Sequence, residues 1–170
     1  MIGGIRSGKS RWAEKLVSQS DEVVYIATAQ AWDEEMADRI KSHRASRPSE
    51  WETIEEPLKI ARIIDELGRK AKPPAILVDC LTLWVTNLLL SEQNIELELQ
   101  KLSTAIAEYG GRIVLVSNEV GLGGVSSNQL TRNFVDAIGN LHQQLASICT
   151  RVYFVWCGFA LDIKKYGEMV

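Results

Sequence analysis

The sequence predicts an α/β fold, a mainly parallel sheet flanked by helices. Three observations carry that prediction. The runs Val23-Val24-Tyr25-Ile26-Ala27, Ala75-Ile76-Leu77-Val78-Asp79 and Ile113-Val114-Leu115-Val116 are apolar and β-branched without alternation, as strands buried on both faces are. Segments of helical periodicity separate these runs. Near the amino terminus, Gly3-Gly4-Ile5-Arg6-Ser7-Gly8-Lys9-Ser10 fits G-x-x-x-x-G-K-[ST], a loop between a strand and a helix whose backbone N–H groups cradle phosphates.

The bulk properties fit one domain spanning 1–170. The chain has 170 residues, 46% of them hydrophobic and 24% charged, and is long enough for a proper core. A net charge of −3 gives no general attraction to nucleic acid or to an anionic membrane. Cys80, Cys149 and Cys157 are far apart and odd in number, as expected of reduced thiols in a cytoplasmic protein. The longest apolar run, Leu81 to Leu90, is interrupted by Thr82, Thr86 and Asn87 and is too short to span a bilayer. No signal peptide is visible.

Taken in order, the loop comes first. Lys9 is expected to reach the β/γ-phosphates and Ser10 to hold Mg²⁺, with a helix from about Ser10 aiming its positive end at the same phosphates. The bland alternative is a flexible Gly/Ser-rich tail. The motif should follow a buried strand, yet only Met1 and Ile2 precede it. The first strand therefore reads as missing or truncated, which would open the sheet beside the loop. About five or six more apolar residues, a typical strand length, are expected upstream.

Arg11 to Ser18 reads as the helix leaving the loop, with Trp12, Leu16 and Val17 inward. The strand Val23–Ala27 follows, and Thr28-Ala29-Gln30 lies at its carboxyl end, where ligands bind in open α/β sheets. Asp33 to about Ala45 reads as a helix with acids in its first turn and Met36, Ile40 and His43 on one face. Pro48 stops it. Trp51–Ile54 is a short strand, and Leu58 to Lys70 an amphipathic helix closed by Pro73-Pro74.

Ala75–Asp79 ends in an acid, the form of a Walker B strand whose carboxylate sits opposite the loop serine around Mg²⁺. A capping aspartate for the next helix is the alternative. The phosphate-loop motif upstream favours the metal role. Leu81–Leu90 reads as a largely buried helix. Glu92 to Tyr109 is a helix with a stripe at Ile95, Leu99, Leu102 and Ile106, ended by Gly110-Gly111. Arg112–Ser117 is a strand, with a glycine-rich loop, Asn118 to Gly124, at its carboxyl end. Ser127 to Thr150 is a long helix with its stripe at Leu130, Phe134, Ile138, Leu141, Leu145 and Ile148. Arg151–Trp156 is the last clear strand. His142 reads as structural or solvent-facing.

Several stretches together resemble one family. GGIRSGKSRWAE, VVYIATAQAWDEEMADRIKSHRASRP, ILVDCLTLWVTNLL, VLVSNEVGLGGV and NQLTRNFVDAIG are similar, in this order, to the bifunctional adenosylcobinamide kinase/adenosylcobinamide-phosphate guanylyltransferases of cobalamin (vitamin B12) biosynthesis. The resemblance runs from Gly3 to about Gly158. It implies a RecA-like P-loop fold and two reactions. ATP or GTP phosphorylates the aminopropanol hydroxyl of adenosylcobinamide, and GMP is then transferred from GTP onto that phosphate to give adenosylcobinamide-GDP. It also implies a homo-oligomer, since relatives form trimers, and Trp32, Trp51 or Trp84 would suit such association.

The family passes through a covalent GMP-histidine, and the match at RIKSHRASRP puts that histidine on His43. Many relatives carry two adjacent histidines there, whereas this chain has Ser42 and His43. Without the resemblance, His43 reads as a solvated helix-end histidine. The nucleotide contacts implied are Gly3, Gly4, Ile5, Arg6, Ser7, Gly8, Lys9, Ser10, Ala27, Thr28, Ala29, Arg44, Ala45, Ser46, Arg47, Glu55 and Asp79, with Ser10 and Asp79 at the metal and Lys9 and His43 catalytic. Glu55 would accept from guanine N–H donors. Asn118-Glu119 is a candidate for the corrinoid side. Two departures stand out: Ser126 replaces a usual proline, and the tail DIKKYGEMV is only loosely similar. The competing readings are a P-loop kinase without guanylyl transfer, and a nucleotide-binding protein inactivated by loss of the first strand.

Overall fold

The computed structural model describes residues 1–45 and 47–168. In chain order the strands are β1 (Ile2–Gly3), β2 (Val23–Ala27), β3 (Glu52–Glu55), β4 (Ala75–Asp79), β5 (Ile113–Asn118), β6 (Tyr153–Trp156) and β7 (Phe159–Asp162). The helices are α1 (Lys9–Val17), α2 (Glu34–Ala45), α3 (Ile60–Gly68), α4 (Leu81–Leu90), α5 (Ile95–Glu108), α6 (Gln129–Ile148) and α7 (Ile163–Tyr166). The sheet has the order β3-β2-β4-β5-β1-β6-β7 and is parallel except for the β6–β7 hairpin.

The unalternating apolar strands are explained by burial on both sides. Val24, Ile26, Ile76, Val78 and Leu115 face a core shared with α3, α4, α5 and α6. Val23, Tyr25, Ala27, Leu77, Val114 and Val116 face the other way and pack on Ala13 and Val17 of α1. Trp84, fully buried, donates its indole N–H to the Leu58 carbonyl across 2.8 Å, so it offers no surface for association. Trp51 is half-buried, and Trp32 is 61% exposed.

Several expectations are corrected. The sheet does not open beside the loop at Ile2–Gly3: β1, although two residues long, pairs in parallel with both β5 and β6. On α1 the buried apolar positions are Ala13 and Val17, while Trp12 and Leu16 are half-buried. On α2 Met36 and Ile40 are only half-buried and His43 is exposed, so that helix lies on the sheet's rim with little apolar support. Leu130 and Ile148, at the ends of the α6 stripe, are exposed because the helix outruns the core. The tail forms β7 and α7. Cys157 and Gly158 turn the hairpin with φ of 50° and 82°, the two positive values that a tight two-residue connection requires.

Candidate active site

The loop is built where β1 hands over to α1. Gly3 lies so close to β6 that a Cβ there would sit 2.3 Å from the Val155 carbonyl oxygen. Gly8, at φ 98°, turns the chain into α1 and caps it without a side chain, leaving the first-turn N–H groups for an anion. The hairpin turn braces the same loop, since Gly158 N–H donates to the Ser7 carbonyl across 2.9 Å. Lys9 is 8% exposed, and its ammonium donates to the Gly4 carbonyl across 2.9 Å. Burial pulls its pKa down against the opposing pull of Asp79. A buried cation held at a loop's own carbonyl is ready for an incoming phosphate.

Asp79 ends β4 beside this loop, and the Ser10 hydroxyl donates to its carboxylate across 3.1 Å. These hard oxygens suit Mg²⁺, which takes one or two protein oxygens and fills its octahedron with water and phosphate. Among the described residues no cluster of three or more His, Cys, Asp or Glu forms a metal cage of its own.

Thr28, fully buried, lies one residue past β2. Its hydroxyl donates to the Cys80 carbonyl across 2.7 Å and accepts from the Cys80 N–H across 2.9 Å. Asn87 Nδ2 donates to the Thr28 carbonyl across 2.8 Å. The Thr28 side chain is thus committed to the backbone that follows Asp79. Ala29 is the least buried of the expected trio Ala27, Thr28 and Ala29.

The third wall comes from α2 and the segment after it. His43, Arg44 and Ala45 are exposed on the last turn of α2; Ser46 lies outside the described residues. Arg44 pairs with Glu55 across 3.3 Å at the surface, so two expected nucleotide contacts meet each other. Arg47 is half-buried, its guanidinium carbon 3.6 Å from the centre of the Tyr25 ring. Its Nε is buried, with no hydrogen-bond partner among the described residues.

Glu14 connects these walls. It lies four residues beyond Ser10 on α1, on the same face. Burial raises its pKa first and Asp79 second, while the charges of His43, Arg47 and Arg11 pull it back. The β4 carboxylate, Arg11 of α1, and His43 and Arg47 from the end of α2 and just beyond it therefore act on one carboxyl group. Neither Glu14 nor Tyr25 was expected at the site. In sequence Glu14 resembles a helix-surface acid, and Tyr25 resembles one more large residue in a buried strand. The only available signal was a phenol on the strand that leads into Ala27-Thr28-Ala29.

Asn118 and Glu119 adjoin the loop, Glu119 N–H donating to the Gly3 carbonyl across 3.0 Å. The Glu119 carboxylate accepts from Gly121 N–H across 2.7 Å, stabilising its own turn. His142 is half-buried, with Nε2 2.7 Å from the Ser117 hydroxyl. An open groove of about 540 Å³ between α3 and α5 involves none of the expected site residues.

The model of the family described as cobinamide kinase / cobinamide phosphate guanyltransferase matches residues 1–163. The bifunctional adenosylcobalamin biosynthesis protein CobP of Pseudomonas aeruginosa is 48% identical over 96% of this chain and 95% of its own length. The bifunctional adenosylcobalamin biosynthesis protein CobU of Escherichia coli is 41% identical over 96% of this chain and 98% of its own. Its namesake from Salmonella typhimurium is 40% identical with the same coverage. Among solved structures, the type III secretion ATPase EscN of enteropathogenic E. coli aligns with a TM-score of 0.55 at 13% identity, over 99% of this chain and 49% of that one, which supports the RecA-like P-loop fold alone. With a match over nearly its whole length and relatives above 40% identity, the chain belongs to the cobinamide kinase / cobinamide phosphate guanyltransferase family.

Proposed function

We propose that this chain, acting as one nucleotide-binding domain over 1–170, phosphorylates adenosylcobinamide on its aminopropanol hydroxyl with ATP or GTP. It then transfers GMP from GTP through His43 to give adenosylcobinamide-GDP. The observation that carries the reading is the Ser10–Asp79 contact beside the buried Lys9, in a chain of this family. In the first reaction the substrate hydroxyl attacks the γ-phosphorus, and the nucleoside diphosphate leaves. In the second, an imidazole nitrogen of His43 bonds to the α-phosphorus of GTP as the bond to pyrophosphate breaks. The phosphate of adenosylcobinamide phosphate then displaces the histidine, forming the new diphosphate linkage.

The residues divide the work by charge. Gly3 to Ser10 wrap the phosphates with backbone N–H groups, and Lys9 neutralises the β/γ end. A neutral imidazole is nucleophilic near pH 7, where a lysine is mostly protonated. Arg44 and Arg47 supply guanidinium groups for the transferring phosphoryl unit. When nucleotide binds, Glu55 leaves its weak surface pair with Arg44 and accepts from guanine. Ser10 and Asp79 would hold Mg²⁺, which would supply charge neutralisation for the phosphates. Asn118 and Glu119 lie toward the corrinoid.

Among the described residues no helix is long and apolar enough to cross a membrane. We read the enzyme as cytoplasmic and, by its family, as a homo-oligomer, with a trimer expected. The test is product analysis. With Mg²⁺, GTP and adenosylcobinamide, the chain should release pyrophosphate and yield adenosylcobinamide-GDP; accumulation of the phosphate alone would favour a kinase without guanylyl transfer.

A further inference from the structure

Tyr25 is 2% exposed, in the middle of β2. Strand alternation puts it on the same face as Ala27, and the β2–β4 register pairs Tyr25 with Leu77 and Ala27 with Asp79. Its ring therefore lies one step below the carboxylate that meets Ser10. On this ring rests the Arg47 guanidinium, 3.6 Å from its centre. Ring faces attract cations, more strongly when water is excluded. Burial, followed by the neighbouring Asp79 charge, pushes the phenol pKa well up, so the ring stays neutral. Arg47 Nε has no hydrogen-bond partner among the described residues, so the ring face covers this part of the guanidinium while the Tyr25 hydroxyl lies within reach of both Arg47 and Asp79.

Arg47 follows His43 by four residues, just past the end of α2. We infer that Tyr25 is a positioning residue for guanylyl transfer: its ring is the platform that holds Arg47 against the α-phosphate attacked by His43. The inference rests on the two-step reading above. In that step the His43–phosphorus bond forms while the bond to pyrophosphate breaks, and Arg47 stabilises the non-bridging oxygens as charge moves to the leaving group. Tyr25 touches no reacting atom. Its contribution is the orientation of a planar cation, and misplacement by about 1 Å costs about a hundredfold in rate.

The test is a double-mutant cycle on single-turnover guanylylation with α-phosphate-labelled GTP. Tyr25→Met removes the ring face while nearly filling its volume, and Tyr25→Leu is a second version. Each should slow labelling about tenfold to a hundredfold, chiefly in the rate at saturating GTP, as should Arg47→Ala. Combined with Arg47→Ala, the Tyr25 change should add no further loss, because its effect passes through Arg47. Tyr25→Phe keeps the ring and should stay within about threefold of the parent. Arg47→Lys keeps the charge without the stacked plane and should behave like Arg47→Ala, which tests the platform even if the Tyr25 variants fold poorly. Multiplicative losses in the cycle, a fully active Arg47→Lys, or a Tyr25→Phe as slow as Tyr25→Met would overturn the inference while leaving the two-step reading intact. A parent chain that takes up no label overturns both.

Discussion

The Ser10 hydroxyl donates to the Asp79 carboxylate across 3.1 Å, joining the first turn of α1 to the last residue of β4. The pairing puts the two hard oxygens side by side at the mouth of the loop that buries Lys9. Asp79→Asn removes the charge and keeps the shape. The Mg²⁺ concentration needed for half-maximal turnover should rise about tenfold to a hundredfold in both reactions, read by titrating the metal at fixed GTP. An unchanged metal requirement would remove Asp79 from that role.

Gly3 is a packing requirement as well as a motif letter. Gly3→Ala places a Cβ 2.3 Å from the Val155 carbonyl and 2.9 Å from the Ser7 hydroxyl. Backbone must shift to admit it, at a cost of about 1–3 kcal/mol. Thermal unfolding should move down, and both reactions should fall together, because the loop and β6 separate as a unit.

Thr28 tests how Asp79 is held. Thr28→Val preserves the shape but leaves the Cys80 N–H without its buried partner and the Cys80 carbonyl with the Trp84 N–H alone, costing about 1–3 kcal/mol in denaturant unfolding. Thr28→Ser retains the hydroxyl and should recover most of that loss. A loss in Thr28→Ser with Thr28→Val spared would mean that the methyl group, not the hydrogen bonds, matters there.

His142 makes stability depend on pH. Burial holds its imidazole below the ordinary value of 6.5, aided by the Met1 ammonium and opposed by Glu119. Between the folded value and 6.5 the unfolded chain binds the extra proton, so stability rises with pH across that window and the full penalty applies below it. His142→Gln removes this titration. Between about pH 7 and pH 5 the parent should lose more stability than the variant, measured by urea unfolding at each pH. Parallel losses would contradict this account.

Sequence pattern reached the elements whose reasons are local. Strands β2 and β4 and helix α4 have the expected limits, because strands apolar on both faces and a buried helix between turn signals leave little choice. The loop and the acid ending β4 were legible for a related reason: phosphate cradling demands glycines and a lysine at fixed spacing. β7 was not legible, since Cys157-Gly158 lacks the Asn-Gly or Asp-Gly form that announces a tight hairpin. For α2 periodicity gives the shared face of Met36, Ile40 and His43 but not what covers it, and His43 is exposed there. Tyr25, Glu14 and the bonding of Thr28 were hidden for a third reason. Their roles depend on the β2–β4 register and on α1 crossing that face, which no single stretch encodes.

The central claim is that His43 carries GMP between GTP and the substrate phosphate. The direct measurement is incubation with Mg²⁺ and α-phosphate-labelled GTP in the absence of corrinoid, followed by acid and base treatment of the isolated protein. The account predicts acid-labile, base-stable label on the parent chain and none on His43→Ala, with phosphorylation of adenosylcobinamide largely kept in that variant. Label persisting on His43→Ala would contradict it.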